Sequence, residues 1–119
     1  AVLSRVCGEV FTIEIKKRLF ERTGALLKKE GYKTINARFG DGYFGWETMA
    51  PFDAIMITAA ASHIPPPLVK QLKEGGRLIM PLGGRLFQTL TIITKQGGEL
   101  DIRQVISVSF VPMTGKAQE

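Results

Sequence analysis

Two carboxylates stand where this chain could use them to hold a ligand. Glu14 closes the alternating stretch Glu9-Val10-Phe11-Thr12-Ile13-Glu14, and Asp41 sits between two glycines in Gly40-Asp41-Gly42. In open α/β sheets ligands bind outside the carboxyl ends of strands, and an acid there can accept from both vicinal hydroxyls of a ribose. Asp41 suits a flat partner: its glycines let the backbone approach a ring while the carboxylate accepts from an exocyclic amine. Each residue also has a plainer reading. Glu14 precedes a helical stretch and would favour its positive end, and Gly-Asp-Gly is ordinary turn chemistry. A third segment, residues 51–61, reads Pro-Phe-Asp-Ala-Ile-Met-Ile-Thr-Ala-Ala-Ala. It is expected to be a fully buried strand whose small C-terminal residues let a ligand approach the backbone. With that segment beside them, the two acids have the layout of a nucleoside-binding α/β domain.

The other reactive residue types carry less. His63 is the sole histidine, which excludes a histidine triad or a multi-histidine metal site built from this chain alone. Beside Ile64-Pro65-Pro66-Pro67 it reads as a surface loop residue. Cys7 has no histidine near it in sequence and reads as a small buried hydrophobe. Asp53 marks the entrance of its strand, Phe44 and Trp46 read as packing residues, and Gly83-Gly84 is a turn rather than a phosphate loop, since no Lys-Ser/Thr follows it.

Strands and helices must place these groups. Residues 1–6 read as a helix tail, 9–14 as a strand, and 16–29 as a helix with Leu19, Phe20, Leu26 and Leu27 at helical spacing, capped by Gly31. A second strand covers 34–39. After the 51–61 strand, Pro67 starts a helix through Leu72, Gly75-Gly76 turns it into a strand over 77–82, and strands over 87–95 and 102–110 flank the turn Gln96-Gly97-Gly98-Glu99. Residues 115–119 are expected to fray. Strand-helix-strand units followed by a hairpin predict an α/β sheet with an antiparallel edge.

Composition narrows the class. At 119 residues the chain is at most one domain, and 45% hydrophobic with 23% charged residues is ordinary for a soluble globular protein. No apolar run is long enough for a membrane span and no secretory leader is visible. A single cysteine precludes an internal disulfide and favours a reducing cytoplasm. The net charge of +5 would suit nucleic acid, but the basic residues are spread along the chain (Lys16, Lys17, Arg18, Lys28, Lys29, Lys70, Lys73) and read as a solvated surface.

In order, Val10-Phe11-Thr12-Ile13-Glu14, Gly40-Asp41-Gly42-Tyr43, Pro51-Phe52-Asp53-Ala54-Ile55, Leu72-Lys73-Glu74-Gly75-Gly76-Arg77-Leu78 and Phe110-Val111-Pro112-Met113 form a familiar series. By these motifs the chain resembles the protein-L-isoaspartate O-methyltransferases, S-adenosylmethionine-dependent enzymes of class I, over nearly its whole length. The acid at the end of the family's second strand, here Glu14, and the Gly-Gly segment are generic to that class. The Gly-Asp-Gly-aromatic, Pro-Phe-Asp-Ala-Ile and Phe-Val-Pro combination is more specific.

The resemblance implies a partial Rossmann-like sheet, mostly parallel, with an antiparallel C-terminal hairpin and helices on both faces. It implies that Glu14 holds the ribose of S-adenosylmethionine, Asp41 and the Gly42 backbone read the adenine edge, and Thr114 lies near the cofactor. It further implies that Val111 and Pro112 border an isoaspartyl peptide or protein substrate, with no catalytic side chain, no metal, no nucleic acid and no membrane involved. The family carries, before the position of Ala1, a substrate segment, a first strand central to the sheet and a glycine-rich loop. The chain is therefore expected to be the C-terminal part of one methyltransferase domain, inactive alone and open to self-association through exposed sheet edges. A class I methyltransferase with another substrate, a nicotinamide-dependent dehydrogenase and a basic nucleic-acid-binding domain stay open as alternatives at this stage.

Overall fold

The computed structural model describes residues 8–31, 35–84 and 86–118, so the expected helix tail over 1–6, Cys7 and Thr34 lie outside the described residues. The chain divides into two compact units, residues 1–42 and 43–119.

The first unit is a strand-helix-strand motif. Strand β1 (Val10–Glu14) pairs in parallel with β2 (Ile35–Phe39), from Val10 opposite Ile35 to Glu14 opposite Phe39. A parallel pair needs a crossover, and helix α1 (Lys17–Lys29) supplies it. Its inward stripe differs in part from the expected one: Phe20, Gly24 and Leu27 are half-buried at i, i+4 and i+7, whereas Leu19 and Leu26 are exposed. The Phe20 ring lies 5.9 Å from that of Phe39, tying helix to strand. The C-terminal stop is the expected one. Gly31 has φ 75° and its N–H donates to the Lys28 carbonyl at 3.2 Å, using the glycine's tolerance of a left-handed conformation.

The second unit is a four-stranded sheet in the order β3-β4-β5-β6, with one α-helix among the described residues. Strand β3 (Phe52–Met56) runs parallel to β4 (Leu72–Gly83), helix α2 (Pro66–Gln71) connecting them. Strand β5 (Gln88–Gln96) and β6 (Glu99–Val108) follow antiparallel. Between β5 and β6, Gly97 and Gly98 take φ 58° and 79°, the two positive values that a tight type I′ hairpin turn requires. Side chains at paired positions share a face. Ile55, Leu78 and Ile93 therefore point together into the core, where Leu68 and Leu72 from the α2 region and Met80 from β4 join them. Leu78, Met80 and Ile93 are completely buried.

Several expectations change here. Residues 51–61 are not one fully buried strand: β3 ends at Met56, and Asp53, Ala54 and Met56 are exposed, Met56 at 58%. Among the described residues β3 pairs with β4 alone, so it is an edge strand and only its Ile55 side meets the core. Gly75-Gly76 is not a turn between helix and strand. Strand β4 begins at Leu72, and the glycines fall in an irregularity where Phe52 faces Leu72 but Ala54 faces Arg77. A Cβ on Gly76 would come within 2.9 Å of the Asp53 carbonyl, so the approach of β4 to β3 needs glycine there. Residues 115–118 form a 3₁₀ turn rather than a frayed end, because Ala117 packs on the core. Strand β6 starts three residues earlier than expected, and β5 starts at Gln88 with Phe87 left outside. The seven basic residues read as a solvated surface are all exposed.

Helix α2 ends against a cation. The Lys95 ammonium donates to the carbonyls of Val69 and Leu72, both at 3.1 Å, at the end where the helix dipole is negative. Lys95→Met keeps the stem but removes both bonds. It is expected to cost about 1 kcal/mol, read as a lower urea midpoint at unchanged m-value.

Candidate functional site

In the first unit the two acids lie at one edge. Glu14 is the last residue of β1 and pairs with Phe39, the last of β2, and Asp41 follows two residues later. The Gly40 N–H donates to the Glu14 carbonyl at 3.0 Å, so the loop carrying Asp41 leaves β2 directly beside the end of β1. Both side chains thus start from the carboxyl edge of a parallel pair, where α/β sheets bind ligands. Glu14 also serves the helix: its Oε1 accepts the Lys16 N–H at 2.9 Å. That contact matches the plainer reading of Glu14 and also sets the orientation of the carboxylate. Asp41 and Gly42 are half-buried.

In the second unit three segments gather at the corresponding edge. Strands β3, β4 and β6 run the same way, so the segments after Met56, Gly83 and Val108 leave from one side of the sheet. Ala60 and Ala61 lie between the end of β4 and the segment after Val108. The Ala60 N–H donates to Val111 at 2.8 Å and its carbonyl accepts from Met113 at 2.7 Å, while Ala61 bridges Pro81 and Gly83 at 3.3 and 2.9 Å. Both alanines are buried, as fits a place where two backbones approach closely. Beside them opens a cleft of about 430 Å³ lined by Ala60, Ala61, Gly83, Gly84, Gln88 and Pro112. Val111 and Pro112 are exposed at this cleft region, and Thr114 is half-buried just after Met113, which packs on the core.

Two buried glutamines do work that sequence reading missed. Gln71 accepts from the Trp46 N–H and donates to the Phe44 carbonyl, both at 2.8 Å, pinning the loop after Tyr43. Gln88 accepts from the Phe110 N–H at 2.7 Å and donates to the carbonyls of Phe110 at 3.0 Å and Gly84 at 3.1 Å. Each amide behaves as a piece of backbone, satisfying a loop that no strand pairs. Gln71 carried a usable signal: it falls at i+3 from Leu68 on the buried stripe of α2, where a polar residue needs a partner. Gln88, at the first position of a strand, carried none.

His63 is exposed, as expected of a loop residue, but it is not idle: its Nε2 lies 3.1 Å from the Tyr43 hydroxyl and its Nδ1 3.4 Å from that of Ser62. It links the turn at Tyr43 to the segment following β3. Phe44, expected to pack, is more than half exposed, with its ring against Tyr43 at 5.3 Å. The unit grips the backbone of Phe44 through Gln71, not its ring.

A parallel strand-helix-strand motif and a mixed four-stranded sheet fit a Rossmann-like α/β fold of the methyltransferase kind, and solved structures agree. One protein-L-isoaspartate O-methyltransferase aligns at a TM-score of 0.86 with 26% identity, covering 92% of this chain and 35% of that one. Another, from Plasmodium falciparum and solved in complex with S-adenosyl-L-homocysteine, aligns at 0.77 with 28% identity, covering 89% and 52%.

The family model for protein-L-isoaspartate(D-aspartate) O-methyltransferase matches residues 1–118, and the chain belongs to that family. It is 58% identical over 118 residues to protein-L-isoaspartate O-methyltransferase 2 of Shewanella sediminis, covering 98% of this chain and 48% of the relative. Against the Nitrosococcus oceani protein of the same name it is 50% identical over 117 residues, covering 98% and 53%. The chain thus spans about half the length of these curated relatives.

Proposed function

We propose that the protein containing this chain transfers a methyl group from S-adenosylmethionine to the free α-carboxyl of L-isoaspartyl residues in damaged proteins. The observation that carries this reading is the placement of Glu14 and Asp41 at the ends of two adjacent parallel strands, in a chain whose family is named for that reaction. The donor set fits the cofactor chemically. Glu14 offers acceptors for the ribose hydroxyls and Asp41 with the Gly42 backbone suits the adenine edge; the resemblance to the family adds Thr114 as a residue for the cofactor. When bound, S-adenosylmethionine supplies an activated methyl group. The chain's own task is to bind and orient. The acceptor carboxyl is already ionised at neutral pH, so no general base is needed, and positioning alone supplies a large rate factor. Val111 and Pro112 border the substrate.

In this reading residues preceding Ala1 in a longer protein supply a strand and a glycine-rich loop, and the 119-residue chain is the C-terminal part of one domain. Alone it has no transferase activity, and the edges of β1 and β3 that lack partners among the described residues draw it into self-association. The single cysteine fits a cytoplasmic setting. Among the described residues no helix is long and apolar enough to cross a membrane.

The test is a titration of the longer protein with S-adenosylhomocysteine and, separately, NAD, followed by a methyl-transfer assay on an isoaspartyl peptide and its aspartyl counterpart. Binding of S-adenosylhomocysteine with methylation of the isoaspartyl peptide only is expected. NAD binding without S-adenosylhomocysteine binding would overturn the assignment.

A further inference from the structure

We infer that Leu86 and Phe87, with Val111, form an apolar subsite for a side chain flanking the isoaspartyl residue, so that the protein selects damaged sites with large apolar neighbours. The inference rests on the proposed reading that a polypeptide enters the cleft beside Ala60 and Pro112. Leu86 and Phe87 lie in the connection from β4 to β5 and are 87% and 85% exposed, and Val111 is 71% exposed. Their location is specific. They stand at the carboxyl end of β4, the edge where α/β sheets meet their ligands, and not on the face of the sheet, where a packing helix would be expected.

The same connection is joined to the Val111 segment. Gln88 bonds the Gly84 carbonyl on one side and both backbone groups of Phe110 on the other. Gly84, Gln88 and Pro112 all line the cleft. Leu86 and Phe87 therefore fall between two residues that line the cleft, Gly84 and Gln88, and Val111 directly precedes a third, Pro112. A substrate that is a protein must extend beyond the reacting residue across this rim. Exposed apolar residues next in the chain to the lining of a cleft are the chemistry that would take an apolar neighbour of that residue.

The experiment uses the full-length protein and two isoaspartyl peptides that differ only in the flanking residues, leucine and phenylalanine in one and serine in the other. The wild type is expected to show a KM about 10-fold lower for the apolar peptide, the discrimination typical of one apolar pocket. The double variant Leu86→Ser, Phe87→Ser is expected to bring the two KM values within about twofold of each other, with little change in thermal midpoint. No preference in the wild type overturns the inference, as does a preference that survives in the variant. A variant that keeps its preference but melts several degrees lower, or loses a concentration-dependent dimer, assigns the tip to packing within the longer chain or between copies. Methylation of neither peptide removes the underlying reading, and the subsite with it.

Discussion

Glu14→Ala in the full-length protein is expected to weaken S-adenosylhomocysteine binding about 100-fold while leaving a folded protein. The magnitude follows from the bonds at stake. A hydrogen bond to an ionised group contributes roughly 1.5–3 kcal/mol, and two hydroxyls held by one carboxylate give about 3 kcal/mol, or a hundredfold in Kd. Glu14→Gln keeps one good acceptor and should lose about tenfold. Asp41→Asn, which keeps shape but removes charge, should likewise lose about tenfold. The bond from the Lys16 N–H to Glu14 makes a second readout necessary. A hydrogen bond of this kind contributes about 0.5–1.5 kcal/mol, so Glu14→Ala should also melt a few degrees lower. Calorimetric titration and thermal melting together separate the roles. A lower melting temperature with unchanged affinity would reduce Glu14 to a helix-start residue.

Much of the first unit was legible because its signals are local. Alternation over residues 9–14, a helical run closed by Gly31 and a Gly-Asp-Gly exit are properties of contiguous residues, and the structure follows them within a residue or so. The hairpin was legible for the same reason, since Gly97-Gly98 prescribes its turn. What failed depended on partners. Residues 51–61 are apolar enough for a strand with two covered faces and two paired edges, whereas β3 has one neighbour among the described residues. The helical stripe likewise lists candidates for burial without saying which will be chosen. Phe20 goes inward because Phe39 is there to receive it, and Leu19 stays out.

The site divides along the same line. The positions of Glu14 and Asp41 follow from strand ends, and strand ends are readable. The loop after Tyr43 is held by Gln71 and the segments at the cleft by Gln88, through long-range bonds to residues 25–27 and 22 positions away that leave no periodic trace in sequence. Resemblance to a family located the Phe-Val-Pro segment. It did not locate the amide that anchors it.

Gln88 is where the second large effect is expected, and it acts on stability and substrate affinity together. The side chain is 5% exposed and satisfies three backbone groups of two loops. Gln88→Leu has similar bulk but no polar atoms, and leaves the Phe110 N–H and C=O to find other partners. Each unsatisfied buried group costs about 1–3 kcal/mol. Phe110 and Gly84 are partly open to water, which offsets some of the loss. A net cost of about 2–3 kcal/mol is expected, read by urea titration. The consequence for substrate follows from what remains. Ala60 still holds Val111 and Met113 by two bonds, so the segment stays attached at its far end but swings at Phe110. KM for an isoaspartyl peptide should rise about tenfold, a displacement effect, while S-adenosylhomocysteine affinity changes less than about threefold. Gln88→Glu sharpens the argument. It preserves shape and the acceptor for Phe110, but turns an oxygen toward the Phe110 and Gly84 carbonyls where an N–H stood. It should therefore be no better tolerated than leucine. A fully stable Gln88→Glu protein with unchanged KM would show that the donor half of the amide is not what joins the two loops.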